Sequence, residues 1–201
     1  TGMPTGTLYY RIRAKNAIYI SLYSATITVT PLTNTYSAGT WTLGTPPPTI
    51  GTQNLVFNAS FTANVDMAGC SCTVNAGNVI INAGKNLTIT NGVTVNSPGT
   101  LAFEDTSSLI QINNVANVGN ITYKRNTTVI TKMDFTFWST PVLPFTLGQV
   151  SPNTLGDKFY SYDSSIENWK QESGATTMHP GFGYIIRGPQ NYVPPMPPSP
   201  Y

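Results

Sequence analysis

Residues 72–103 read CTVNAGNVIINAGKNLTITNGVTVNSPGTLAF, and their rhythm decides the fold class. Apolar residues come in alternating pairs: Cys72/Val74, Val79/Ile81, Leu87/Ile89, Val93/Val95 and Leu101/Phe103. A period of two sets each pair on one face of a strand, with Thr or Asn on the other. Between the pairs stand Asn-Ala-Gly, Asn-Ala-Gly-Lys-Asn, Thr-Asn-Gly and Asn-Ser-Pro-Gly, residues that tolerate left-handed turns. Strands that start this close together leave no room for helices. Two folds suit the rhythm: an antiparallel meander or sandwich, or a parallel β-helix whose short strands make coils that stack. Cys72 to Val93 spans 21 residues and Val79 to Leu101 spans 22, each step holding three strand starts. That interval favours the coil, and it aligns Asn75 with Asn96, where stacked amides can hydrogen-bond up the column. The pattern reaches outward through Leu55/Phe57 and Val65/Met67 on one side and Ile110/Ile112 and Ile121/Tyr123 on the other. It predicts a β-solenoid over residues 51–123, with Val74, Ile81, Ile89, Val95 and Phe103 facing inward.

On the N-terminal side, residues 33–50 contain Tyr36, Trp41 and the run Pro46-Pro47-Pro48. Prolines hold an extended path, so the stretch reads as a linker, with Trp41 capping the core of the next domain. Residues 1–32 alternate at Leu8–Ala14 and again at Ala25–Thr30 before Pro31, which reads as a β-hairpin. Its wording, YYRIRAKN…SATITVTP, resembles the last two strands of a fibronectin type III domain. Two strands cannot bury both their faces, so the chain is expected to continue upstream. Beyond the solenoid, residues 124–188 are richer in aromatics and charge. Phe159–Asp163 and Trp169–Gln171 read as a hairpin and Gly181–Gly188 as a closing strand, together an antiparallel β-module capping the solenoid. Residues 189–201, with Pro194-Pro195 and Pro197-Pro198, read as a polyproline spacer. The fold class is therefore all-β.

Charged residues make up only 9% of the 201, and the net charge is +2. That is too little and too scattered for a nucleic-acid footprint. No apolar run approaches the roughly 20 residues of a membrane helix. The surface is left to Thr, Asn, Ser and Gly, which suits stacked β-structure or an extracellular coat.

Candidate chemistry is sparse. Cys70 and Cys72 flank one serine, which admits two small buried side chains, a strained local disulfide or a soft-metal site. The only histidine, His179, stands far away in a turn before the last strand. Parallel β-helices also serve polysaccharide lyases, whose sites need convergent carboxylates or a base beside a cation. The solenoid offers only Asp66, Glu104, Asp105 and Lys85. Glu104 and Asp105 are adjacent, so on a strand they would point to opposite faces; the expected reading is a solvated turn, and the alternative a weak calcium site built with loop carbonyls. No catalytic residue and no firm cofactor is assigned. Tyr160, Tyr162 and Trp169 are the candidate ligand-binding residues: they form either a sugar-stacking platform or, as the expected reading, the small core of the hairpin.

Several phrases carry a resemblance: YSAGTWTLGTPP, GNITYKRNTT, FTFWSTPV, SPNTLGDKFYSYD, MHPGFGYIIRGP and the solenoid stretch itself. Over about residues 36–190 the chain resembles the large surface proteins of Bacteroidetes, especially gliding flavobacteria, exported by the type IX secretion system. The resemblance implies an extracellular or cell-surface location, an internal fragment of a longer protein, and adhesion, coating or filament formation. It implies as partners the type IX secretion machinery and other outer-membrane or surface proteins. It supplies no catalytic residues. The alternative function is a carbohydrate-binding module that carries a separate enzyme to polysaccharide. The glycosylation-like triplets at Asn58, Asn86, Asn120 and Asn126 are chance products of an Asn- and Thr-rich chain.

Overall fold

A computed structural model describes residues 8–44 and 51–191. The proline run at 46–48 and all of the expected polyproline tail beyond residue 191 lie outside the described residues. The chain divides into two compact units, Thr1–Thr122 and Tyr123–Tyr201.

The first unit begins with β1 (Leu8–Tyr10) and β2 (Ile27–Val29), paired antiparallel with Leu8 opposite Val29. Large apolar side chains of this hairpin, among them Ile12, Ile18 and Leu22, are exposed. Next come β3 (Leu32–Ser37) and β4 (Thr40–Trp41), then β5 (Gln53–Phe57), β6 (Phe61–Ala63) and β7 (Met67–Gly69). They are followed by β8 (Ser71–Val74), β9 (Asn78–Ile81), β10 (Asn86–Ile89), β11 (Val93–Val95), β12 (Thr100–Phe103) and β13 (Ser108–Gln111). A short β14 (Thr122–Tyr123) straddles the boundary between the units. Strands three apart in the sequence pair in parallel, giving columns β5-β8-β11, β6-β9-β12 and β7-β10-β13. This is a parallel β-solenoid of about four turns.

The register follows the spacing read from the sequence. Cys72 lies opposite Val93, and Val79 opposite Leu101. Val74, Ile81, Ile89, Val95 and Phe103 are all buried, as alternate positions of stacked strands require. The coil is not of fixed length, however. The step is 17 residues from Leu55 to Cys72, 21 from Cys72 to Val93 and 24 from Thr94 to Val118. Extra residues enter at the turns, where they leave the strand pairing intact.

Amide columns tie the corners. Asn96 Nδ2 donates to Asn75 Oδ1 at 2.9 Å, and Asn75 Nδ2 to Asn58 Oδ1 at 2.9 Å. Asn82 donates to Asn64 on a second corner. On a third, Asn113 Nδ2 donates to Asn91 Oδ1 at 3.0 Å, and Asn91 Nδ2 to the Cys70 carbonyl at 3.1 Å. Gly77 shows how tightly these corners stack. At φ 79°, a Cβ there would lie 2.2 Å from Ser60 N of the coil below.

Two expectations are corrected. Residues 33–50 are not linker throughout: β3 pairs in parallel with β5 from Leu32↔Gln53 to Tyr36↔Phe57, and β4 folds back on β3. Trp41 is buried there against Phe57 and Phe61, with Tyr36 beside it, ring centroids 4.8–5.4 Å apart. The capping role expected of Trp41 thus falls to a residue of the solenoid's own first sheet. Ile110 and Ile112 do not face inward; both are exposed, and so is Val65. Stacking of Leu109 on Leu87 fixes the register of β13, and a one-residue offset turns Ile110 outward.

The second unit holds β15 (Phe135–Trp138), α1 (Leu147–Val150), β16 (Phe159–Asp163), β17 (Asn168–Glu172) and β18 (Tyr184–Arg187). Its sheet, in the order β15-β18-β16-β17, is antiparallel throughout. Leu147 and Val150 of α1 pack with Phe159, Met178, Tyr184 and Ile186 on one face, joined by Trp138 and Phe145.

Candidate functional site

The face of the β15-β18-β16-β17 sheet opposite that core follows from the registers. Phe137 is opposite Ile185, Ile185 opposite Tyr160, and Tyr162 opposite Trp169. With side chains alternating along each strand, Phe135, Phe137, Tyr160, Tyr162 and Trp169 all emerge on one side. They are open to solvent: Phe137 is 76% exposed, Tyr162 53%, Phe135 43% and Trp169 42%. The rings touch one another. Tyr162 and Trp169 meet edge-to-face at 5.4 Å, Phe135 and Tyr160 at 6.0 Å, and Phe137 and Trp169 are tilted at 6.5 Å. Edge-to-face pairs satisfy the ring quadrupoles but leave a corrugated surface. The Tyr160 hydroxyl donates to the Asp157 carbonyl at 3.0 Å, which fixes that ring.

Tyr160, Tyr162 and Trp169 are therefore brought together, but the expectation that they make the hairpin's core is corrected. The core lies on the other face, where Phe159 is buried one position before Tyr160. Phe135 and Phe137 were missed as partners. Their period-two spacing in Phe135-Thr136-Phe137 is the signal, masked by Trp138, which joins the core side.

Charge sits at the edges of this unit. Asp163 Oδ1 accepts from Ser165 Oγ and N, and those bonds hold its carboxyl below the usual range. At Glu172 burial works to raise the carboxyl, but bonds from Ser161, Lys170 and Thr176 outweigh it and bring it down. Lys170 Nζ is 3.1 Å from Glu172.

The remaining candidates are spread through the fold. His179 donates its backbone N–H to the Tyr184 hydroxyl at 3.1 Å, and its ring lies 5.8 Å from Phe182. Asp66 Oδ1 accepts from the Asn86 backbone N–H between coils, a structural bond. Among the described residues, no three His, Cys, Asp or Glu gather to hold a metal ion. Cys70 and Cys72 are buried thiols without a disulfide. Burial pushes Cys72 up to about 12 and raises Cys70 too, partly offset by the Asn91 side chain. Such thiols are poor nucleophiles. No described helix is long and apolar enough to cross a membrane.

A family model described as a domain of unknown function matches residues 32–199. The chain belongs to that family, DUF8693. Its match opens on Leu32, the first residue of β3, and takes in the solenoid and the antiparallel unit together. The β1–β2 hairpin lies outside it. No curated protein and no solved structure matches the chain.

Proposed function

We propose that this DUF8693 chain is a non-catalytic structural and adhesive segment of a secreted or cell-surface protein. The solenoid serves as a stiff stalk and the open aromatic face as the contact surface. One observation carries the reading: several large aromatic rings stand side by side on a sheet face that nothing in the described chain covers. Contiguous exposed apolar surface is unfavourable in water and marks a place of contact. Export by the type IX system, with its machinery and other surface proteins as partners, belongs to the same proposal and rests on the resemblance in wording. The β1–β2 hairpin is proposed as the closing edge of a fibronectin type III-like module, its exposed Ile12, Ile18 and Leu22 being the residues such a module would cover.

A second reading makes this face a carbohydrate-binding surface, favoured by the partial exposure of Trp169 and Tyr162, whose rings can meet the C–H faces of sugars. A glycan array with the whole chain separates the two. Selective, saturable binding lost in Trp169→Ala establishes the carbohydrate reading. Attachment to a cell surface that is lost with Phe137→Ser, without glycan selectivity, establishes the adhesive one. Turnover of polysaccharide or peptide by the purified chain would sink both.

A further inference from the structure

The open face of the β15-β18-β16-β17 sheet is one-sided in its hydrogen bonding as well as apolar. By the registers, Gln171, Ile185 and Arg187 emerge on it among the rings. The carboxylates of these strands do not. Asp163 follows Tyr162, and Glu172 stands opposite Phe159, so both point to the other side. What the open side offers is donors: the Trp169 Nε1–H, the Tyr162 hydroxyl, the Gln171 amide and the Arg187 guanidinium. They stand among rings that make no flat plate. Tyr162 and Trp169 are tilted by 75°, and Phe137 lies 6.5 Å from Trp169 at 50°.

A ligand that suits such a surface brings apolar rings and carbonyl oxygens and few N–H groups, because an N–H buried there without an acceptor is costly. A proline-rich strand has that chemistry: proline has no N–H, and the carbonyls of a polyproline helix stay free of internal bonds. Aromatic-lined surfaces recognise it for this reason. The chain carries such a segment. Residues 192–201, outside the described residues, read YVPPMPPSPY, five prolines in ten. At three residues per turn, Pro194, Pro197 and Pro200 share one edge of a polyproline helix, and Pro195 and Pro198 the next. The family match runs to residue 199, so these prolines belong to the family's unit. The path of the chain decides whose segment reaches the rings. Pro189 is buried beside Thr136, Trp138 and Ile186, on the covered side of the sheet. The Gln190 N–H donates to the Asn153 carbonyl at 2.7 Å, just past α1, which packs on that same side. The chain at 189–190 is thus on the side away from its own rings, where a neighbouring copy's open face is reached without rounding the sheet.

We propose, on the reading of this face as a contact surface, that it binds the proline-rich segment 192–201 of a second copy of the chain. Copies then join head to tail, a heterologous contact that grows into rings or open chains. Sedimentation of the whole chain should show association that rises with concentration, and a synthetic peptide of residues 190–201 should return it saturably to monomer. Phe137 is 76% exposed, so Phe137→Ser leaves the covered core alone. It should weaken both self-association and peptide binding at least about tenfold. A peptide carrying Pro194→Ala and Pro197→Ala should lose its competition by a similar factor. A chain that stays monomeric at about 1 mM overturns the inference, as does association that survives Phe137→Ser or ignores the peptide. If that monomer still binds glycan or a cell surface through Phe137, the contact face stands and only the occupant named here falls. If it binds neither, both readings fall.

Discussion

The two units bury apolar surface in opposite ways. The solenoid repeats one solution: alternate aliphatic residues stack coil on coil, and the outward positions are filled with neutral Thr and Asn. The antiparallel unit has a single sheet, one face covered by α1 and neighbouring loops and the other left open and aromatic. Charge follows the same division. Residues 1–122 hold four Lys or Arg and three Asp or Glu; residues 123–201 hold six and five. A stacked wall does not need charge, because each corner amide finds its partner in the next coil. A lone sheet has no next coil, so it keeps a conventional charged rim and one face for contact.

If the units are independent in this sense, a change in one core should melt that unit first. Ile89→Asp places a carboxylate among stacked aliphatic residues and should cost at least about 4 kcal/mol. Hydrogen exchange should then accelerate through β7–β13 while Phe159 and its neighbours stay protected. The reciprocal change, Phe159→Ala, should cost about 3 kcal/mol and be felt by Leu147 and Met178 rather than by the solenoid. A single cooperative transition lost in both variants would dissolve the comparison.

Alkaline pH should act on the solenoid through Cys72. Burial pushes the Cys72 thiol up to about 12 in the folded chain, well above the ordinary range of a free thiol. The folded state thus holds its proton while the unfolded state loses it. The stabilisation is complete below pH 9 and drains between 9 and 12, at about 1.4 kcal/mol per unit. Equilibrium denaturation across that range checks the slope, with Cys72→Ser, freed of the high thiol pKa, as its control. Asn75→Ala, which breaks the middle of one amide column, should cost about 1 kcal/mol, because its partners can turn to water. Smallest of all, Trp169→Ala should change the midpoint of the second unit by under about 1 kcal/mol. Its loss should show instead in surface binding.

The solenoid was legible because its strands advertise themselves twice, by alternation and by turn residues at matching intervals. Cys72, Val79 and Asn75 each found the partner their spacing named. β3 was hidden because its inward residue Asn34 is polar. Asn34 is buried by bonding Gln53 Oε1 and the Leu43 backbone, while Leu32 is exposed, so apolar alternation is absent. Ile110 misled for the converse reason: an apolar residue at the outward position of a strand whose register Leu109 sets. The aromatic face was half legible. Aromatics occupy both sides of this sheet, Phe159 and Tyr184 inside and Tyr160 and Tyr162 outside. Composition announces rings; only the registers sort them.

One amide column also sets a clock. Asn91, buried at a solenoid corner, is followed by Gly92, the neighbour that least hinders attack of the backbone nitrogen on the side-chain amide. Asparagine is among the residues whose chemistry limits protein lifetime. Hydrolysis would turn Asn91 into aspartate, removing the donor to the Cys70 carbonyl and setting a negative charge against that oxygen. The damage is covalent and cannot be refolded away. Because Asn91 is buried and bonded to both Cys70 and Asn113, that reaction must wait for the corner to open, so the local stability of the coil sets its rate.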